Sequence, residues 1–375
     1  MSAALTVVGA ASLAGWLGVL AHPARPWDLR PRGDGAESPE PASWPEVCVL
    51  VPARNEAAVL PETLPALLDQ DYPGAWRVIV VDDRSTDGTA DVARRHRSER
   101  LTVVEGGALP DGWVGKVWAL EQGAASAGDA DCLLLTDADI VHGPGNLRRL
   151  VAETESQELA LDSRMARLHV DSVTERLLVP PFAFFFALLY PMRWANDGRR
   201  RLAAAAGGCV LVRQSALGAA GGFAAIRGEV IDDIALARAI KRLGRATRLA
   251  VSSREVRSVR AYTTMGDFWR TVRRTAFTQL RRSWALLAAT SVAIAVLFAA
   301  PPALVALGLA GIGGWLAALL GALAWLVATV VYLPTVRSYA CSPVWALTLP
   351  LAGILYGGMT IDSALRGPRA GRLVW

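Results

Sequence analysis

The two ends of the chain are far more apolar than its middle. Leu5 to Ala21 is uncharged and about long enough to cross a bilayer as a helix. Ala285 to Leu333 is almost free of charge and long enough for two spans, with candidate breaks at Pro301-Pro302 and at Gly311, Gly313 and Gly314. Val344 to Ile361 is a candidate for a further span. The pattern predicts transmembrane helices at both ends.

Flanking arginines set the expected orientation of these segments. No basic residue precedes the first apolar run, which favours an uncleaved anchor over a cleavable signal peptide. Three arginines lie between His22 and Arg32, which predicts a cytoplasmic location for the domain that follows. Three C-terminal spans would then place the C-terminus outside, whereas Arg366, Arg369 and Arg372 favour the inside. Either the last segment is re-entrant or one span is misassigned.

Between the two ends, short apolar runs alternate with segments of helical spacing. The strand-like runs are Val47–Val51, Arg77–Val81, Leu101–Val104 and Leu133–Leu135, and the helical segments are Val59–Leu68, Ala90–Arg95 and Gly115–Ala127. This alternation predicts an α/β fold with a mostly parallel sheet, in which ligands bind at the carboxyl ends of the strands. Pro23 to Pro45 is predicted to be a linker.

The segment from Phe182 to Tyr190 is aromatic and bounded by prolines. It is too short to cross a bilayer. Two interpretations stand side by side: a helix in a protein core, or a hairpin that dips into the membrane interface to admit a lipid.

Polar side chains follow the predicted strands. The run that ends at Leu135 is followed by Asp137 and Asp139, and two carboxylates at this spacing can share one Mg²⁺ or Mn²⁺. Taken alone, such a pair is more often part of a polar loop. The first two strands run into a similar set of polar residues: Pro52, Arg54, Asn55 and Glu56, then Asp82, Asp83 and Asp87.

Charge and cysteine content narrow the classes of partner. The formal charge is +5, partly from arginines beside the apolar segments, which fits an anionic membrane surface better than nucleic acid. We therefore predict no nucleic-acid partner. Cys48, Cys132, Cys209 and Cys341 are scattered in mostly apolar runs, which predicts neither a disulfide framework nor a metal site.

The order of these motifs resembles that of the family-2 glycosyltransferases, which have a GT-A fold. The resemblance covers roughly Val47 to Trp284. It implies that Pro52 to Glu56 and Asp82 to Thr89 bind the nucleotide, and that Asp137 and Asp139 bind the metal. Each motif is weak alone, but their order on successive strand ends is specific.

A closer resemblance is to membrane-bound enzymes that glycosylate hopanoids, ceramides or carotenoids. Gly112 to Lys116 resembles their Gly-Lys segment and implies that Lys116 lies near the diphosphate. Ala206 to Arg213, then Gly221 to Phe223, resembles the stretch that lines the acceptor side. Asp233 falls on the position of the catalytic base, with Asp232 in place of the family's usual Glu. Gln279 and Arg282 approximate a Gln-x-x-Arg-Trp motif in which Trp284 comes one residue late.

The resulting expectation is a multi-pass enzyme of the inner (cytoplasmic) membrane with a cytoplasmic catalytic domain. Its partners would be a nucleotide-sugar donor, a divalent cation, a lipid acceptor such as a hopanoid, and the bilayer. The predicted segments are an anchor (1–22), a linker (23–45), a GT-A domain (46–264), an amphipathic interfacial helix (265–284), C-terminal spans (285–363) and a basic tail (364–375).

Other functions remain as alternatives. A polyprenyl-phosphate or processive polysaccharide glycosyltransferase would use a similar site, and a membrane adaptor could keep the fold without turnover. A nicotinamide oxidoreductase is disfavoured, because Pro52 to Glu56 stands where a Gly-x-Gly-x-x-Gly loop would follow the first strand. The sequence makes no prediction about oligomeric state.

Overall fold

The computed structural model of the chain describes residues 2–29, 39–252 and 255–366. These residues form two compact units. The helical unit comprises 2–29, 170–193 and 261–366, and the sheet unit comprises 39–169, 194–252 and 255–260. Residues 30–38 of the predicted linker and 367–375 of the predicted basic tail lie outside the described residues.

The elements have the following bounds in chain order. The strands are β1 (Val47–Ala53), β2 (Trp76–Asp82), β3 (Leu101–Glu105), β4 (Cys132–Leu135), β5 (Ile140–His142), β6 (Leu161–Met165), β7 (Val210–Arg213), β8 (Thr247–Val251) and β9 (Val256–Ser258). The helices are α1 (Ser2–Ala21), α2 (Leu60–Leu68), α3 (Thr89–Arg94), α4 (Gly115–Ala125), α5 (Asn146–Ser156), α6 (Val173–Leu189), α7 (Met192–Ala195), α8 (Gln214–Ala219), α9 (Asp232–Arg242), α10 (Met265–Gln279), α11 (Trp284–Ile294), α12 (Ala300–Leu309), α13 (Trp315–Ser338) and α14 (Leu349–Arg366).

The main sheet of the sheet unit has the strand order β3-β2-β1-β4-β7-β6-β8. Strands β3, β2, β1 and β4 run parallel, β7 is antiparallel to both of its neighbours, and β6 and β8 are parallel to each other. Strands β5 and β9 form a separate antiparallel pair. The predicted mostly parallel sheet is confirmed.

The continuous apolar run of β1 is explained by burial on both faces of the sheet. Alternate residues of the strand join different apolar clusters, Leu50 with Leu120 of α4 and Val49 with Leu64 of α2. The register aligns Ala53 with Asp82, and Leu50 with Leu135. The segments that follow β1, β2 and β4 therefore begin at the same edge of the sheet.

In the helical unit, four helical stretches are long and apolar enough to span a membrane: Ser2–Ala21, Trp284–Leu309, Trp315–Ser338 and Pro343–Arg366. The break between the second and third lies at Gly311, Gly313 and Gly314, all with positive φ. Pro301-Pro302 does not break the helix. The two prolines lack the backbone N–H donors of a regular helix, and a π-helical segment, Ala295–Ala299, directly before α12 accommodates this loss.

The aromatic segment belongs to the core of the helical unit, in agreement with the core-helix interpretation. It lies in α6, whose first turn is closed by a capping box between Ser172 and Glu175. Phe184 is fully buried, with its ring centroid 5.2 Å from that of Tyr332. Helix α10 ends at Gln279, earlier than the predicted amphipathic helix, and Arg281 and Arg282 after it adopt left-handed φ angles of 52° and 53°.

Candidate active site

The loops after β1 and β2 are joined to each other by side chains. The Asn55 backbone N–H donates to Ser85 Oγ at 2.8 Å, and Asn55 Oδ1 accepts from the Thr86 N–H at 2.9 Å. Asp87 Oδ2 accepts from the Ala57 N–H at 3.0 Å. Both Asn55 and Arg84 have positive φ, a conformation that such cross-loop bonds can stabilise. Asn55 and Asp87, predicted to bind the nucleotide, thus use side-chain oxygens to shape the loops.

An acidic pair, Asp82 and Asp83, lies at the end of β2, where the second of these loops begins. Asp83 is fully buried and pairs with Arg54 Nη1 at 3.3 Å. Asp82 is also buried, and its Oδ1 has no hydrogen-bond partner among the described residues. A buried carboxylate oxygen without a donor is costly. Asp82 therefore offers an acceptor to a ligand at this edge of the sheet.

Lys116 lies between the segment after β4 and the start of α9. Its Nζ is 2.6 Å from Asp137 Oδ1 and 3.4 Å from Asp232 Oδ2. Lys116 is in the first turn of α4, while Asp232 and Asp233 are the first two residues of α9. Asp233 Oδ1 accepts a hydrogen bond from the Ile234 N–H at 2.7 Å.

Gly207 brings the backbone close to this group of charges. A Cβ built on Gly207 would lie 3.1 Å from Lys116 Nζ and 3.5 Å from one carboxylate oxygen of both Asp137 and Asp233. The stretch that was expected to line the acceptor side thus reaches the group through this glycine. The same residues line a pocket together with apolar residues such as Phe223 and Ile226.

The charges change the proton affinities of these groups. Burial lowers the pKa of Lys116, but the charges of Asp137 and Asp232 outweigh it and hold that pKa above its usual value. Burial, followed by the charge of Asp232, raises the pKa of Asp233 well above the usual aspartate range, although Lys116 opposes this shift. Lys116 is therefore a permanent cation, and Asp233 is a carboxylate with an increased affinity for a proton.

Asp139 faces a different cation, Arg260, which follows β9. Asp139 Oδ2 accepts from Ser258 Oγ at 2.8 Å and from Arg260 Nε at 3.1 Å. Arg260 Nη2 also donates to both oxygens of Glu56, at 2.6 and 2.7 Å. Burial raises the pKa of Glu56, against the opposing effect of Arg260. Nothing in the sequence around Arg260 indicated this role, since Glu56 precedes it by 204 residues.

The oxygens of the two predicted metal ligands fit a hard divalent cation. Within 39–252 and 255–260, Asp137 Oδ2 and Asp139 Oδ1 make no hydrogen bond or ion pair, so each aspartate keeps one oxygen for a ligand. No group of three or more His, Cys, Asp or Glu residues suited to a metal occurs among the described residues. Two carboxylate oxygens suffice for Mg²⁺ when phosphates and water complete its shell.

A buried polar chain lies behind Asp137. His142 Nε2 is 2.8 Å from Thr136 Oγ1, which donates to the Gly208 carbonyl at 2.9 Å. Burial lowers the pKa of His142 to about 4, so the imidazole is neutral. This chain connects the residue before Asp137 to the residue after Gly207. It was not expected from the sequence, because a single His in an apolar run gives no functional signal.

Two predicted site residues belong to the other unit. Gln279, the last residue of α10, accepts a hydrogen bond from Tyr190 Oη at 2.6 Å, a contact within the helical unit. Arg282 is exposed in the turn before α11. Pro52 is a buried residue of β1 and lines the pocket beside Lys116.

Comparison with known proteins shows which family part of the chain matches. Residues 48–220 match the family described as Glycosyl transferase family 2. The β-monoglucosyldiacylglycerol synthase of Synechocystis sp. is 37% identical over 122 residues, which cover 32% of this chain and 24% of that protein. The undecaprenyl-phosphate mannosyltransferase of Micrococcus luteus is 36% identical over 124 residues, covering 32% of this chain and 48% of that one.

A solved structure matches over nearly the whole length. It is the mannosyltransferase PcManGT from Pyrobaculum calidifontis in complex with GDP-Man and Mn²⁺, with a TM-score of 0.62, 23% identity, and coverage of 98% of this chain and 99% of that one. At this identity the likeness establishes a shared fold. The curated relatives above are matched over only about a quarter to a half of their own length. Residues 48–220 therefore match a glycosyltransferase family 2 domain, and the strand order together with the structural match shows the GT-A fold.

Proposed function

We propose that the protein transfers a sugar, with inversion, from a nucleoside-diphosphate sugar to a hydroxyl group of a membrane lipid. The observation that carries this proposal is the position of Lys116. Its Nζ contacts Asp137, a candidate metal ligand, and Asp232, a neighbour of the candidate base. These two contacts support a leaving-group site and a proton acceptor close to the same cation.

The donor would bind across the ends of β1, β2 and β4. The unpartnered Oδ1 of Asp82 offers a buried acceptor for a hydroxyl or N–H group of the nucleoside, and Arg54 fixes Asp83 next to it. Asp137 and Asp139 would hold a divalent cation through their remaining oxygens. When bound, Mg²⁺ or Mn²⁺ would stabilise the negative charge that develops on the leaving diphosphate.

Asp233 would act as the general base. The acceptor oxygen attacks the anomeric carbon as the bond from that carbon to the diphosphate breaks, and the hydroxyl proton passes to the Asp233 carboxylate. The products are the glycosylated lipid and the nucleoside diphosphate. Its raised pKa suits this task, because a base with a pKa near the working pH takes up a proton more readily than an ordinary aspartate.

The membrane acceptor is supported by composition and by two relatives. Four helical stretches could span a membrane, and the matched relatives are named a glucosyldiacylglycerol synthase and an undecaprenyl-phosphate mannosyltransferase. A phosphate acceptor needs no general base, whereas a hydroxyl does. The environment of Asp233 therefore favours a lipid alcohol, such as a hopanoid or a related lipid, over a polyprenyl phosphate.

The remaining assignments are part of the same proposal. The sheet unit would lie on the cytoplasmic side of the cytoplasmic membrane. Gln279 and Arg282 stay predictions as residues that contact the donor diphosphate or the acceptor.

The test measures transfer of labelled sugar from a panel of nucleotide sugars into extracted lipid. Membranes would contain the wild type, Asp233→Asn, or the matched control Asp71→Asn, whose carboxylate pairs with Arg148 at the surface. We expect Asp233→Asn to lower the rate by about 10² to 10⁴ and the control to retain it. Wild-type membranes that glycosylate no lipid would refute the function. An undiminished Asp233→Asn variant would refute the base and favour a phosphate acceptor.

A further inference from the structure

Arg260 contacts both acidic elements of the donor edge. The guanidinium donates from Nε to Asp139 and from Nη2 to both oxygens of Glu56. The backbone reinforces this position, since the Val259 N–H donates to the Asp139 carbonyl at 2.9 Å. The segment after β9 is therefore fixed against the segment after β4 by main-chain and side-chain bonds.

The charges of this edge require such a cation. The side chains of Glu56 and Asp139 are only 13% and 14% exposed, and Glu56 also senses the charge of Asp137. Three carboxylates in a partly buried region repel one another and repel a diphosphate. Lys116 balances Asp137 from one side. Arg260 balances Glu56 and Asp139 from the other.

One part of the guanidinium is not used by these contacts. Arginine carries five N–H donors, and the two on Nη1 make no hydrogen bond within the described part of the chain. The side chain is 41% exposed, although its other nitrogens are bonded to mostly buried carboxylates. A fixed, partly exposed guanidinium with two donors left over is well suited to a phosphate group.

We propose that Arg260 binds the diphosphate of the donor through Nη1 while its Nε and Nη2 keep Glu56 and Asp139 in place. This inference rests on the proposed nucleoside-diphosphate donor and adds a phosphate-binding residue to it. Each candidate metal ligand then has its own cation, Lys116 at Asp137 and Arg260 at Asp139. A purely structural role is the competing explanation, because Arg260 would also be needed simply to neutralise its two carboxylates.

The two explanations predict different effects of an Arg260 substitution on the binding of a nucleoside and of its diphosphate. Binding constants would be measured by titration calorimetry on the full chain in detergent, with excess EDTA so that no metal assists the phosphates. The ligands are UDP, GDP, ADP, CDP and dTDP, each paired with its nucleoside. The variants are Arg260→Gln, Arg260→Lys and the control Arg257→Gln, whose guanidinium pairs with Glu62 at the surface.

We expect the wild type to prefer one nucleoside diphosphate over its nucleoside. Arg260→Gln should weaken the binding of that diphosphate by about tenfold to a hundredfold, which is the range for a charge-assisted hydrogen bond. The affinity for the nucleoside should not change. The diphosphate affinity of Arg260→Lys should lie between those of the wild type and Arg260→Gln, and Arg257→Gln should bind like the wild type. Unchanged nucleoside binding by Arg260→Gln also shows that the variant is folded.

Four outcomes would overturn the inference. Equal diphosphate binding by the wild type and Arg260→Gln would exclude a phosphate contact. A parallel loss of nucleoside and diphosphate would assign Arg260 a structural role only. A wild type that binds some nucleoside, but prefers no diphosphate over its nucleoside, would exclude phosphate-binding cations in the chain. A wild type that binds none of these ligands would refute the proposed donor class itself, and this inference with it.

Discussion

The sheet unit contains two ionic clusters that differ in their charge balance. The closed cluster consists of Glu153, Asp162, Arg164 and Arg248, in which each arginine contacts both acids. The open cluster consists of Glu56, Lys116, Asp137, Asp139, Asp232, Asp233 and Arg260, in which five carboxylates face two cations.

The difference in balance corresponds to a difference in exposure. In the closed cluster no side chain is more than 17% exposed, and Asp162 is fully buried. In the open cluster the side chains of Asp137 and Arg260 are 37% and 41% exposed. In a balanced buried cluster the positive and negative charges are equal in number, so no additional ion is needed. An accessible excess of carboxylates, in contrast, is stabilised by binding a cation. The comparison teaches that charge imbalance, rather than the number of ion pairs, indicates a site.

The largest expected effect separates stability from activity. Arg248→Met would leave Glu153 and Asp162 with one arginine in a buried environment. We expect a loss of about 3 to 5 kcal/mol in the free energy of unfolding, as for other broken buried pairs. Thermal unfolding in detergent would show a lower midpoint for Arg248→Met than for the wild type. Asp233→Asn, in the open cluster, should not lower the midpoint. An unchanged midpoint for Arg248→Met would contradict the structural role of the closed cluster.

The next effect concerns the cation of the open cluster. Lys116→Met would remove the only cation that contacts both Asp137 and Asp232 among the described residues. We expect transfer activity to fall roughly tenfold to a hundredfold, the range for a lost charge-assisted hydrogen bond. The matched control is Lys241→Met. Lys241 donates to the Leu202 carbonyl at 2.7 Å, so its loss should reduce stability and spare the rate of the folded protein. The reverse pattern would contradict the comparison.

The pH profile sharpens the assignment of the base. Burial and Asp232 both raise the pKa of Asp233, so activity should fall as the pH drops through a value above the ordinary aspartate pKa of about 3.9. Asp232→Asn removes the like charge and should lower the pKa of Asp233. The acid limb of the rate profile should therefore move to lower pH. A limb that does not move, measured across several buffers, would show that Asp233 is not the group that titrates.

The smallest effect tests the close approach of Gly207. A methyl group at this position would lie 3.1 Å from Lys116 Nζ, so the lysine or the backbone must shift by a few tenths of an ångström. We expect Gly207→Ala to lower the transfer rate several-fold, since small misplacements in a site weaken catalysis. Gly198→Ala is the control, because a Cβ there meets no atom within 4 Å. Equal rates for the two variants would show that the approach is not tight in solution.

Much of this organisation could be predicted from local patterns. The predicted strands Val47–Val51 and Arg77–Val81 lie within observed strands. They could be recognised because strands buried on both faces consist of continuous apolar residues. Acidic residues after such runs pointed to the edge of the sheet where Asp137 lies. The predicted α/β fold is confirmed for the same reason.

Other features could not be predicted because they depend on contacts between distant residues. The side chains of Asn55 and Asp87 fix one loop against another, a contact that their local sequence does not indicate, and their predicted role in nucleotide binding stays a prediction. Residues 170–193, which lie within the predicted 46–264 domain, are part of the helical unit in the structure. An aromatic run bounded by prolines does not reveal which core will bury it, since burial depends on the partner surface.

Residue periodicity within single segments is enough to predict the apolar stretches, the alternation of strands and helices, and the types of side chain at the strand ends. The contacts of Lys116 with Asp137 and Asp232, and of Arg260 with Glu56 and Asp139, depend on tertiary packing. Ion pairs form between whichever charges the packed sheet brings within a few ångströms. That proximity is set by strand order and register, which no local pattern records.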